Sequence, residues 1–334
     1  MAKQLNINPS ITDSLMAYRF LKGKVRHTPT ELSSPLSALS GAAVYLKWEN
    51  QQICGAFKVR GALFKMNSLD PAKRAKGVVT ASSGNHAQGV AMAASALGVK
   101  GIICVPSTCP ETKKEAISRL GGPWITLKVV QGSYDQAEEE ALRLSREEGM
   151  EFISAFEDHH IVCGASTIGI EMMMDQPDLD VIIVPAGGGG LMNGVALAAC
   201  HLRPGIKVYG VQSEASNPYV VSWEDGIVKD VEYLPTLADG LAGYIPQSLL
   251  DLAKTRMAGM VQVTERSIGR AMAFLLHHHH QVVEGSGAVG VAAILEKRLD
   301  LRGLKVGIVI SGGNVDSHRL RQVLDEHLEG VKNL

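Results

Sequence analysis

Val181-Ile-Ile-Val-Pro-Ala-Gly-Gly-Gly-Gly-Leu191 is the stretch on which the fold reading turns. Five residues that read as a buried strand run into Ala186 and four consecutive glycines, and Leu191 opens a segment with apolar residues at helical spacing. Strand, glycine turn and helix in that order form the unit of an α/β sheet, and open sheets of this kind take their ligands at the carboxyl ends of strands. Successive glycine N–H groups can converge on one anion, and a helix N-terminus adds partial positive charge, so Gly187 to Leu191 reads as a phosphate cup. The G-x-G-x-x-G spacing of dinucleotide sites and the G-K-[ST] ending of the P-loop are both missing. A plain tight turn is the alternative reading, although one or two glycines suffice for that.

Outward from this stretch, short apolar runs ending in Gly, Ser or Asn alternate with longer segments of helical period. Strands are predicted at Ala43 to Lys47, Val78 to Ser82, Gly101 to Val105, Trp124 to Val130, Val181 to Pro185, Lys207 to Gln212 and Lys305 to Ile310. Helices are predicted at Phe57 to Leu69, His86 to Leu97, Glu111 to Leu120, Tyr134 to Glu148, Thr167 to Met174, Leu191 to His201, Ser267 to His279 and Val289 to Leu299. The alternation predicts an α/β fold with open, mostly parallel twisted sheets. A chain of 334 residues exceeds the size at which one core stays undivided, so two domains are expected. Its 35 glycines exceed the average share, which suggests backbone brought close to a ligand.

A net charge of -1 with interspersed signs lacks the footprint of a nucleic-acid or anionic-membrane binder. The five cysteines (Cys54, Cys104, Cys109, Cys163, Cys200) are odd in number and form no CxxC pair, so neither a disulfide framework nor a zinc site is signalled. No basic stretch followed by an apolar run opens the chain, and no window reaches the length of a membrane span, so a cytoplasmic setting is expected. His277 to His280 could bind a metal, but their apolar flanks and the lack of acidic or Cys partners at ligand spacing favour a helix end with cationic side chains.

Three further features follow predicted strands or open helices. Ser82-Ser83-Gly84-Asn85-His86 gathers hydroxyls, an amide and free N–H groups suited to a carboxylate, and is equally a good N-cap. Ala56-Phe57-Lys58-Val59-Arg60-Gly61 places a lysine between apolar neighbours, where a desolvated amine becomes nucleophilic; a solvated helix lysine is the plainer reading. Ser311-Gly312-Gly313-Asn314 forms a second glycine turn after a strand.

The order of these features, with HTPTELSSPLSALSGAAVYLKWEN (His27 to Asn50), ADGLAG (Ala238 to Gly243), EGSGAVG (Glu284 to Gly290) and SGGNVD (Ser311 to Asp316), resembles the fold-type II, tryptophan-synthase-like pyridoxal-phosphate enzymes. Within them it is most similar to the threonine dehydratase and serine racemase branch. The resemblance implies a large cofactor-binding domain of residues 1–76 and 155–334, a small mobile domain of residues 77–154, and pyridoxal 5'-phosphate in the cleft between them. It implies that Lys58 carries the cofactor and serves as the base at the substrate Cα, and that Phe57, Asn85, Gly187, Gly188, Gly189, Gly190, Leu191, Glu284 and Ser311 complete the cofactor site. Ser82, Ser83, Asn85 and His86 would hold the carboxylate of a small amino-acid substrate, with Ser83 as a second acid/base on the opposite ring face. Ser311 would face the pyridine nitrogen, and a neutral hydroxyl there leaves the ring a weaker electron sink than a carboxylate would.

The implied reaction is dehydration and deamination of L-threonine or L-serine to a 2-oxo acid and ammonia, by a homodimer. Serine racemisation and 3-hydroxyaspartate dehydration are the alternatives, and a cofactor carrier without catalysis is the alternative of another class. The family's usual Thr-Gly-Ser-Phe-Lys stands here as Cys54-Gly55-Ala56-Phe57-Lys58, without its two hydroxyls. At the places where racemases hold a divalent cation the chain has Gln212 and Pro218, with Glu214 near, so no metal site of that type is expected.

Overall fold

A computed structural model describes residues 7–332 and 334. Among the described residues the strands form two sheets. They are β1 (Thr30–Leu32), β2 (Ala43–Trp48), β3 (Val78–Ala81), β4 (Gly101–Pro106), β5 (Ile125–Val130), β6 (Glu151–Phe152), β7 (Val181–Pro185), β8 (Lys207–Ser213), β9 (Gly259–Val263) and β10 (Lys305–Ile310). The larger sheet has the order β1-β2-β10-β7-β8-β9 and the smaller β5-β4-β3-β6. All neighbours run parallel except β1, which is antiparallel to β2.

Parallel strands covered on both faces need continuous apolar runs, and β7, buried along its whole length, is the purest case. Helix Gly285–Leu295 packs on the larger sheet through Ala288, Val289 and Ala292, which join Ile183 and Ile308 in one core. Helix Gly190–Leu202 covers the other face through Met192, Val195 and Ala199. The chain reaches the smaller sheet by way of helix Lys58–Ser68, which packs against helix Asn85–Leu97 on one side and helix His159–Asp175 on the other.

This topology brings the glycine-rich ends together. β2, β10 and β7 are consecutive neighbours, so the chain leaving β2 toward Lys58, the Ser311 turn and the Gly187 loop leave one edge of the sheet side by side. β3 delivers Ser82 to Asn85 at its own carboxyl end.

Several elements depart from the sequence expectation, the following among them. The helix expected from Thr167 begins at His159, where Asp158 accepts from the N–H groups of His160 and Ile161. The helix expected from Val289 begins at Gly285. β9 and helix Ile11–Leu21 carried no prediction. His278 and His279 bond Val331 O (3.0 Å) and Ser33 Oγ (2.9 Å) at the end of helix Glu265–His279. No helix among the described residues is long and apolar enough to cross a membrane.

Candidate active site

Lys58 is the first residue of its helix, and the segment before it is laid along the Ser311 turn. Phe57 N–H donates to Ser311 O (3.1 Å), Gly313 N–H donates to Gly55 O (2.9 Å), and Ala56 bridges Gly312. The Lys58 ammonium donates to Ala155 O at 2.9 Å and lies 5.1 Å from the centre of the Phe57 ring. Burial pulls its pKa down to about 8, against an upward pull from Glu284. A free amine is therefore accessible near neutral pH, as a nucleophile or base at this place requires.

The helix start is anchored from behind by Arg60. Its wholly buried guanidinium meets Glu49 Oε1 and Oε2 (2.7 and 2.8 Å) and Glu171 Oε1 and Oε2 (2.7 and 2.9 Å). Lys47, also wholly buried, joins Glu171 at 2.7 Å and donates to Thr28 O at 2.6 Å. The two cations thus pair with Glu49 and Glu171, and Lys47 also lies 3.7 Å from Asp175.

Asn85 opens its helix at the end of β3. Its amide donates to Glu284 Oε1 (2.7 Å) and accepts from Asn314 Nδ2 (2.8 Å), which also donates to Cys54 O (2.8 Å). One chain of polar contacts thus ties the Asn85, Glu284, Ser311 and Lys58 segments to each other. Burial raises the Glu284 carboxyl to about 7, with the charge of Asp239 adding to the rise and the Asn85 bond opposing it. Ser311 is buried at the same junction.

In the glycine loop, the N–H groups of Gly187 to Leu191 find no acceptor among the described residues, and no side chain among them caps the helix that begins at Gly190. Gly189 has φ +104°, a conformation other residues rarely adopt, and a Cβ on Gly188 would lie 2.3 Å from the Phe156 ring. The loop therefore presents bare donors that side chains at these positions would obstruct, which suits a phosphate.

Ser82 Oγ accepts from Gly84 N–H (3.2 Å), and Ser83 is half-buried beside the uncapped first turn of the Asn85 helix. His86 points elsewhere: its Nε2 meets Ile153 O (3.0 Å) and Thr80 Oγ1 (3.1 Å). Burial, helped by the Lys58 charge, holds its pKa down to about 3. The imidazole is a neutral strut between β3 and the chain after β6, and what His86 offers the cleft is its backbone N–H at the helix start. Sequence reasoning missed Ala155, which acts through its carbonyl, and Asn314, whose link to Asn85 joins residues far apart in the chain.

The family described as "Pyridoxal-phosphate dependent enzyme" matches residues 21–312. The chain is 43% identical over 96% of its length to the L-threonine ammonia-lyase of Thermotoga maritima, 79% of which is covered. It is 35% identical over 97% of its length to the L-threo-3-hydroxyaspartate ammonia-lyase of Saccharomyces cerevisiae, covering 99% of that protein. Maize serine racemase superposes with a TM-score of 0.89 at 32% identity, over 96% of this chain and 98% of the other. With a lysine-centred cleft, a bare glycine loop and a match that spans both, this chain belongs to the family of pyridoxal-phosphate dependent enzymes.

Proposed function

We propose that this enzyme eliminates water from L-threonine or L-serine to release an enamine, which takes up one water in turn and yields ammonia and a 2-oxo acid, with Lys58 as the cofactor-bearing and proton-transferring residue. The observation that carries the reading is the Lys58 amine: desolvated, lowered to about 8, and held by a single backbone carbonyl that it can leave without stranding a charge. The residues present fit pyridoxal phosphate, since the bare N–H groups of Gly187 to Leu191 suit its phosphate, Asn85 and Glu284 its polar ring edge, and the buried Ser311 hydroxyl its ring nitrogen. When bound, the cofactor supplies an aldehyde for the amine and a ring that withdraws electrons from the substrate Cα.

The chain's own residues do the rest. Lys58 takes the α-proton and is free to return it toward the departing hydroxyl. Ser82, Ser83 and the N–H groups at the start of the Asn85 helix orient the substrate carboxylate, which fixes the Cα–H bond for removal. The neutral Ser311 hydroxyl keeps the ring a modest electron sink, which suits a reaction that expels its negative charge with the leaving group. Residues 77–154 act as a small domain that closes on substrate and excludes water. Ser83 supports a second reading, serine racemisation, as an acid on the opposite face. A homodimer in the cytoplasm completes the proposal, and the five cysteines, all free, suit a reducing setting.

Borohydride reduction of the holoenzyme followed by peptide mapping should label Lys58. Incubation with L-threonine, L-serine and L-threo-3-hydroxyaspartate should then rank the substrates by 2-oxo acid release. Label on another lysine, or D-serine formed from L-serine without 2-oxo acid, would sink the assignment.

A further inference from the structure

Three buried side chains lie behind the glycine loop, and each donates to one of its carbonyls. Gln212 Nε2 meets Ala186 O (3.1 Å), the Tyr219 hydroxyl meets Gly188 O (3.2 Å), and Asn193 Nδ2 meets Gly189 O (3.0 Å), beside the helical bond that the Asn193 backbone N–H donates to the same oxygen (3.1 Å). All three are wholly buried. Two of them make a further contact. Gln212 Oε1 accepts from the N–H groups of Tyr219 (2.8 Å) and Val220 (3.2 Å), and Asn193 Nδ2 also reaches Leu249 O (3.0 Å).

The geometry of the peptide unit gives these contacts a consequence. In a planar trans peptide the C=O of one residue and the N–H of the next point in opposite directions. Holding Ala186 O to the rear aims the N–H of Gly187 forward; holding Gly188 O and Gly189 O does the same for Gly189 and Gly190. Those three N–H groups find no acceptor among the described residues. Glycine rotates with little steric resistance, so an unrestrained loop of this composition would flip peptides and turn carbonyl oxygens toward an incoming phosphate.

We infer that Gln212, Tyr219 and Asn193 form a carbonyl clamp, positioning residues that keep the Gly187 to Gly190 peptides aimed at the cofactor phosphate. The clamp is uncharged throughout, so nothing in it competes with the N–H groups for the anion. The inference rests on the reading that this loop takes the phosphate, and its test keeps the two apart.

The full-length enzyme, stripped of cofactor, is titrated with pyridoxal phosphate and, separately, with pyridoxal, which has the aldehyde and ring but no phosphate. The wild type should bind the phosphorylated form far more tightly. Equal affinities there would remove the phosphate reading and the clamp with it. Tyr219→Phe deletes one hydroxyl and keeps the ring; Gln212→Met keeps the length and deletes the donor. Each should raise the Kd for pyridoxal phosphate about five- to tenfold, and both together about fiftyfold, while the Kd for pyridoxal stays within about twofold. Parallel losses for both ligands would mean general damage to the cleft, and no loss for either would mean that the loop holds itself; both overturn the clamp. Should one variant fail to fold, the other alone decides between these outcomes.

Discussion

Arg60, on the Lys58 helix, is held among Glu49, Glu171 and Lys47 in a dry network of full charges, whereas the glycine loop is held by two amides and a phenol. Both arrangements position backbone from behind. The network anchors a group whose own charge must stay adjustable, and its charges are paired with one another rather than with Lys58. The clamp serves a place where an anion is to be met by weak N–H dipoles, and there a buried carboxylate would repel the ligand while a cation would displace the N–H groups as its partner. Paired charge suits the first task and no charge the second.

The largest expected effect tests the charged side. Arg60→Met leaves Glu49 and Glu171 buried with their guanidinium gone, and breaking a pair in this way typically costs about 3 to 5 kcal/mol. The Glu49 carboxyl, now held low by Arg60 against the cost of its burial, would rise in the variant and take up a proton more readily. A carboxyl whose folded pKa lies above its unfolded value adds stability at low pH that is lost as pH rises. The deficit of Arg60→Met should therefore be larger at pH 8 than at pH 5, read from urea midpoints at both. A deficit near 1 kcal/mol, equal to that of a neutral contact, would break the comparison.

Glu284 lies between the two cases, buried like the first but bonded to a neutral amide. Its folded pKa of about 7 exceeds its ordinary 4.5, so the folded state binds the proton more tightly than the unfolded. In the cofactor-free protein its contribution is complete below about 4.5 and is lost as pH climbs through about 7, a swing of up to about 3 kcal/mol. Glu284→Gln should abolish that decline in a series of thermal melts. A decline that persists unchanged would assign the titration to another group.

Much of this was legible in the sequence, and what was missed has physical causes. β7 and its glycines read correctly because a strand buried on both faces and a loop without side chains leave compositional marks. Lys58, Asn85 and Ser311 lie in motifs that stand out in the residues themselves and Glu284 in one marked by resemblance; the contacts of Asn85 reach Glu284 and, through Asn314, the Ser311 turn and Cys54 ahead of Lys58. The start of helix His159–Asp175 was lost because nearly every face of it is buried, which erases the periodicity that reveals a helix. Helix Ile11–Leu21 had a readable mark, the Ser10 and Asp13 capping box, that went unused. β9 alternates buried with half-exposed positions and includes Gln262, so it lacks the continuous apolar run that marks β7. From the sequence Gln212 reads only as a place without a metal ligand; its amide contacts with Ala186 and Tyr219 depend on register between separate segments, which no local pattern encodes.

The smallest effect tests the neutral side. Tyr219→Phe removes one hydroxyl from a fully buried ring, leaving the packing of the ring in place and Gly188 O without that donor. A neutral hydrogen bond of this kind contributes about 1 kcal/mol. Burial raises the phenol pKa well above its ordinary value, so the group stays protonated in both folded and unfolded chains throughout the neutral range. The two states then bind the same number of protons at this residue, and the deficit should be flat between pH 5 and pH 9. Denaturant titrations of the variant and the parent at several pH values would measure it. A deficit that grows or shrinks with pH would show that a titrating group shares the clamp, and the contrast with Arg60 would then be one of degree.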